Sequence, residues 1–153
     1  MPVPNKDYRE NPKRAIYITG RIDQQLVDKI TPTVNEFRLE STDPITAYVD
    51  SPGGSIVLAE TIRYHLQAPN PDGKRCRLIT AVTSRAASAA ADFVALGDYA
   101  IGYPYSDLLY HGSREASDSY LTTEMATMMA RNLQQTNEIY AVRLAVGRSP
   151  VSC

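Results

Sequence analysis

Regular patterning begins at Arg14 to Thr19, where Arg-Ala-Ile-Tyr-Ile-Thr sets β-branched and aromatic residues in a short run closed by Gly20; this predicts a first strand behind a polar, proline-bearing leader, Pro2 to Pro12. From Asp23 to Glu40 the apolar residues Leu26, Val27, Ile30, Val34, Phe37 and Leu39 fall near a helical period, with Pro32 expected at a kink or a new helix start. Ile45 to Val49 reads as a second strand that runs into Asp50-Ser51-Pro52-Gly53-Gly54-Ser55. Beyond that turn, Ile56, Leu58, Ala59, Ile62 and Leu66 share one helical stripe, and Ala68 to Lys74 is dense in turn residues. Leu78 to Val82 predicts a third strand, Ala86 to Leu96 a helix of small residues ended by Gly97, and Tyr99 to Gly102 and Leu108 to Tyr110 two short strands. Strands alternating with helices imply an α/β fold, a parallel sheet with helical crossovers.

The last element runs from about Ser119 to Val146 without Gly or Pro and is rich in Met, Ala, Leu, Glu and Gln. Leu121, Met125, Met128 or Met129, Leu133 and Tyr140 form its stripe. A helix of roughly 25 residues extends about 40 Å, more than a domain of this size covers. Part of that face is expected to meet another subunit; the alternative is a core helix wrapping its own domain.

Composition narrows the class. A chain of 153 residues with 43% hydrophobic content fits one domain with a real core. A net charge of -1 leaves no basic surplus for a phosphate backbone, so nucleic acid is not an expected partner. Met1-Pro2-Val3-Pro4-Asn5-Lys6-Asp7 has no apolar region of a signal peptide, and no apolar run is long enough to span a bilayer. Cys76 and Cys153 read as reduced thiols, and neither has a Cys or His at zinc-ligand spacing. A cytoplasmic chain without membrane partner, metal or resident cofactor is expected.

Three places carry chemistry. Ser51-Pro52-Gly53-Gly54 joins a strand to a helix, so its glycines can bring backbone N–H groups close to a bound oxygen, although such turns also serve purely structural roles. Arg85-Ala86-Ala87-Ser88-Ala89-Ala90-Ala91 sets one hydroxyl among alanines at a helix start, where free N–H groups favour developing negative charge; Gly-x-Ser-x-Gly is absent, and packing is the plainer role for such a serine. His111 ends the run Asp107-Leu108-Leu109-Tyr110 and precedes Gly112, at the carboxyl edge of the sheet where open α/β folds place their sites. The other histidine, His65, stands in Arg63-Tyr64-His65 on a helix and reads as structural.

Taken in order, Ile45-Thr46-Ala47-Tyr48-Val49-Asp50-Ser51-Pro52-Gly53-Gly54-Ser55, Ala86-Ala87-Ser88 and Leu109-Tyr110-His111 resemble successive blocks of the Clp protease proteolytic subunit, and Ala15 to Ile22 is similar to that family's first strand. The resemblance implies a Clp/crotonase-like fold of stacked β-α units with a protruding handle helix. It divides the chain into a leader (1–13), an α/β head (14–113) and a handle strand and helix (114–153), the strand at about Arg114 to Asp118. It implies Ser88 as nucleophile, His111 as general base and an oxyanion hole from the backbone N–H groups of Gly54 and Ala89. It further implies a serine endopeptidase acting on unfolded polypeptides, a homo-oligomeric ring joined through the handles, and a separate AAA+ unfoldase that uses the ATP.

Departures from the family's pattern accompany the match. Ser84 and Ala90 stand where glycine is usual, so their Cβ atoms are expected to crowd the turn; Gly112-Ser113 replaces the usual Gln-Pro, and the Pro69 to Gly73 loop is longer. The family's catalytic Asp follows the handle helix, and this chain is expected to stop before it. Asp107 lies four residues from His111 on one strand, roughly 13 Å away at about 3.3 Å per residue, and cannot orient the ring. Asp92 is one helical turn from Ser88 but is not aimed by any sequence argument, so the third member stays unassigned. Two other readings stay open at this point: a non-catalytic or truncated ring subunit, and an acyl-CoA enzyme of the crotonase fold, which would call for a carboxylate in place of Ser88.

Overall fold

The computed structural model describes residues 8–112 and 122–147. β1 (Ala15–Thr19) buries Ile16 and Ile18 on one face and exposes Tyr17 and Thr19 on the other, the period of two expected of a strand with one core face. It pairs in parallel with β2 (Ile45–Ser51), Ala15 opposite Thr46, and β2 pairs in parallel with β3 (Leu78–Ala87), Ile45 opposite Leu78. The far side of β3 is shared by two short parallel strands, β4 (Tyr99–Gly102) opposite Ile79 to Val82 and β5 (Asp107–Leu109) opposite Arg85 to Ala87. Between Val49 and Ser51 the β2–β3 register shifts, so that Ser51 meets Ala86. This irregularity bends β2 just before its Pro-Gly-Gly turn.

Helices α1 (Gln24–Glu40), α2 (Ile56–Gln67) and α3 (Ala89–Ala95) connect the first four strands. The Asp23 carboxylate accepts the Leu26 N–H at 3.0 Å and the Ser55 hydroxyl accepts the Leu58 N–H at 3.3 Å, each satisfying an orphan donor of a first helical turn. Leu26, Val27, Ile30 and Val34 of α1 join Ala59, Ile62 and Leu66 of α2 and the inward strand residues in one core. Two local expectations are corrected. α1 continues through Pro32 as one helix, so no new helix starts there; Pro32 is exposed, where water can serve the carbonyl that its missing N–H would have bonded. Leu39, placed near the apolar period, is 88% exposed in the last turn.

The expected helix at Ala86 also starts later. β3 continues to Ala87 because β2 and β5 pair with it on both sides, and the ladder outweighs the helix propensity of alanine. Arg14, ahead of β1, is a buried cation, 6% exposed. Its guanidinium donates to the Phe37, Ser41 and Asp43 carbonyls and pairs with Glu40 at 3.0 Å, which satisfies the C-terminus of α1. The sulfur of Cys76, a buried free thiol, lies 3.6 Å from the same group.

The chain divides into two compact units, Met1–Tyr110 and His111–Cys153. The second contains α4 (Thr123–Gly147), about 37 Å at 1.5 Å per residue. Met125, Met128, Ile139 and Val142 are exposed on it and Leu133 is half-buried, while Leu121, the Tyr140 side chain and the expected strand at 114–118 lie outside the described residues. Among the described residues no helix is long and apolar enough to cross a membrane.

Candidate active site

Ser88 stands between the last residue of β3 and the first of α3 with φ 56° and ψ -127°. For a residue with a Cβ this is a sparsely populated conformation, of order 1–3 kcal/mol above the ordinary basins. Its surroundings impose the turn. The Ser88 N–H donates to the Leu109 carbonyl at 3.0 Å, and the Ser88 carbonyl accepts from Ala91 N–H at 2.9 Å and Asp92 N–H at 3.2 Å. A serine ahead of a helix ordinarily caps it, yet the Ser88 side chain makes no capping bond and is half-exposed. Among the described residues the hydroxyl has no hydrogen-bond partner, and it stands at a sharp strand-to-helix elbow, the geometry that presents a nucleophile.

The glycine turn packs directly on that elbow. Gly53 has φ 96°, and a Cβ added there would sit 2.5 Å from the Ala87 carbonyl oxygen and 2.8 Å from the Ser88 Cβ. Gly54, at φ 152°, would meet the Ile22 backbone. Three bonds hold the loop: Gly53 N–H to the buried Ser51 hydroxyl at 3.0 Å, Ile22 N–H to Gly53 O at 2.9 Å, and Ser55 N–H to Ile22 O at 3.0 Å. None uses the Gly54 N–H, and the Ala89 N–H lies ahead of the first helical bond of α3. Ser88, Ala89 and the Gly53–Gly54 turn thus converge in the first unit. Ser51, whose hydroxyl fixes the turn, is the residue that sequence reading passed over; a serine opening a Pro-Gly-Gly turn was its only signal.

His111 opens the second unit, two residues beyond Leu109 in the chain. Its Nδ1 lies 2.7 Å from the Gly112 carbonyl oxygen. A carbonyl only accepts, so Nδ1 is the donor of this bond, and in the neutral ring such a donor leaves Nε2 as the acceptor. The Nε2 of His65 lies 2.8 Å from the Asn35 side-chain oxygen, a bond that ties α2 to α1.

A family model described as Clp protease matches residues 8–145, which takes in the elbow, the glycine turn, His111 and nearly all of α4. The chain belongs to the Clp protease family. Comparison with curated proteins finds no match.

Within this Clp protease fold Ala90 is fully buried in the core and Ser84 is exposed. A depression of about 300 Å³ lies on the sheet face opposite Ile16 and Ile18, lined in part by Tyr17, Tyr48, Asp50 and Tyr103. None of the candidate catalytic residues lines it. Tyr103 donates to Glu10 at 2.7 Å, a bond that with burial pushes its phenol up to about 12. Tyr48 is raised as well, by burial first and then by the charge of Glu10.

Proposed function

We propose that this member of the Clp protease family is a serine endopeptidase subunit that hydrolyses unfolded polypeptides, with Ser88 as nucleophile, His111 as general base and the Gly54 and Ala89 N–H groups as oxyanion hole. The observation that carries the reading is the elbow at Ser88, a strained backbone set against the glycine turn, where among the described residues neither the Ser88 hydroxyl nor the Gly54 N–H has a hydrogen-bond partner. In this scheme His111 Nε2 takes the proton of the Ser88 hydroxyl as its oxygen bonds to the scissile carbonyl carbon. The two N–H groups hold the oxyanion, each donor worth about 10²–10³ in rate. His111 then returns the proton to the departing amine, and water repeats the sequence in reverse to free the acid and regenerate Ser88. The same reading takes the chain as a cytoplasmic ring subunit fed by an AAA+ unfoldase, which would use the ATP.

A fluorophosphonate probe tests the assignment, because it phosphonylates an activated serine with loss of fluoride. Labelling of the 153-residue chain at Ser88, abolished in Ser88→Ala, is the expected result. Undiminished labelling of Ser88→Ala overturns the nucleophile.

A further inference from the structure

We propose that Ser51 is a positioning residue of the oxyanion hole: its buried hydroxyl, together with the Ile22 N–H, locks two successive peptides of the Pro52-Gly53-Gly54 turn so that the Gly54 N–H is aimed at Ser88 before substrate arrives. The inference deepens the peptidase reading and rests on it for its catalytic meaning. It starts from the weakness of the turn itself. Gly53 and Gly54 stand at φ 96° and 152°, where residues with a side chain rarely go, and two glycines in succession have no preference of their own that would keep them there. Whatever aims the Gly54 N–H comes from its neighbours.

Two bonds supply the aim. The Gly53 N–H donates to the Ser51 hydroxyl at 3.0 Å, and Ser51 is fully buried, so water does not compete for that oxygen. This bond fixes the peptide between Pro52 and Gly53. The Gly53 carbonyl accepts from the Ile22 N–H at 2.9 Å, which fixes the next peptide, the one that carries the Gly54 N–H. In a planar trans peptide the N–H points opposite to the C=O, so a Gly53 oxygen turned to Ile22 sends the Gly54 N–H the other way. Ile22 follows β1 and Ser88 follows β3, while the turn leaves β2 between them, so the other way is the side of Ser88. The approach is close, since a Cβ at Gly53 would lie 2.8 Å from the Ser88 Cβ and 3.1 Å from the Ala89 nitrogen. Ser51 is itself placed by the register shift after Val49, which sets it opposite Ala86, two residues before the nucleophile. One stretch of β3 therefore carries both the elbow and the residue that steadies the turn. Of the two pins, Ile22 contributes backbone and Ser51 a side chain, so Ser51 is the one a substitution can remove.

The test is the kinetics of fluorophosphonate labelling at Ser88 in the full chain. In Ser51→Ala the maximal labelling rate should fall about 10–100-fold, less than or equal to the loss of a whole donor, while the half-saturating probe concentration stays put. Ser51→Cys fills similar space with a weaker and longer acceptor; it should give an intermediate loss, and it decides the question if Ser51→Ala does not fold. Thr80→Val is the control for stability alone. It removes another buried hydroxyl of β3, which donates to the Val94 carbonyl at 3.0 Å, and should label at the parental rate. Parental labelling rates in both Ser51 variants, or an equal loss in Thr80→Val, overturn the proposal. Hydrogen exchange of the chain labelled with nitrogen-15 at its eight glycines reads the lock without chemistry: the Gly53 amide should be protected in the parent and exposed in Ser51→Ala. Equal exchange in the two removes the lock alone. A parent that keeps Gly53 protected yet fails to label at Ser88 removes the peptidase reading instead, so the two failures are separable.

Discussion

At Ser88 the stability of the fold and the chemistry of the site pull in opposite directions. The φ of 56° is unfavourable for serine and ordinary for glycine, so Ser88→Gly should stabilise the protein by about 1 kcal/mol after glycine's own entropy loss, while removing all labelling by a serine-directed probe. Ser88→Ala keeps the Cβ and should show no such gain; urea midpoints of the two variants make the comparison. Gly53→Ala should behave in the opposite sense, losing at least about 2 kcal/mol and most of the labelling, because its new methyl meets the Ala87 carbonyl and the Ser88 Cβ. Much of this site could be read from residue types alone: a hydroxyl among alanines, a Pro-Gly-Gly turn and a histidine after an apolar run are visible at once. The positive φ is not, since Ala-Ala-Ser-Ala-Ala contains no glycine to announce it. It is enforced by the carbonyl of Leu109, far along the chain, and no local pattern records that bond.

Between the elements, polar contacts fix where strands and helices meet. Asp98, in the turn ahead of β4, accepts from Arg75 at 2.7 Å and 2.8 Å and from the Leu78 N–H at 2.7 Å, clamping the start of β3 to the end of α3. Burial pushes this carboxyl up, but the bonds from Arg75 and Leu78, with a weaker one from Gln67, outweigh it and hold the group below its ordinary value of 3.8. A lowered folded value means that the contribution is fully present above the unfolded pKa and disappears as pH falls through the folded one. Asp98→Asn should therefore cost about 1–2 kcal/mol at neutral pH, and the gap to the parent should narrow below about pH 4. Urea unfolding at pH 7 and pH 3 checks it; an equal gap at both would show that the charge is not what holds the clamp. The alternation in β1 and the helical stripe of α2 were legible because burial follows those periods. Arg14 was not, because a basic residue ahead of a strand reads as solvated until the carbonyl-rich end of α1 is folded over it. β3 was read short for a similar reason, since Arg85-Ala86-Ala87 bears no strand signal of its own and is extended only because neighbours pair with it.

For the molecule as a whole, the length and exposed apolar side chains of α4 argue for association. Sedimentation of the 16.9 kDa chain should show a species several times larger than a monomer, and Met125→Glu with Leu133→Glu should reduce it to one; a monomer in the parent at high concentration would remove the case. Here sequence reading reached the existence of the helix, but not its neighbours, which amphipathicity alone does not name. The parallel sheet has a different consequence, one of timing. Ala15 pairs with Thr46 and Ile45 with Leu78, so each of these ladders closes a loop of about thirty residues, an entropic toll of about 3 kcal/mol before any pairing repays it. Contacts so distant in sequence form late and together. The strained elbow can exist only once β2 and β5 grip β3 from either side, and until then Ser88 is an ordinary alcohol in an unfolded stretch of alanines. On the peptidase reading proposed above, a chain still emerging from the ribosome therefore carries no nucleophile, and reactivity arrives only with the completed sheet.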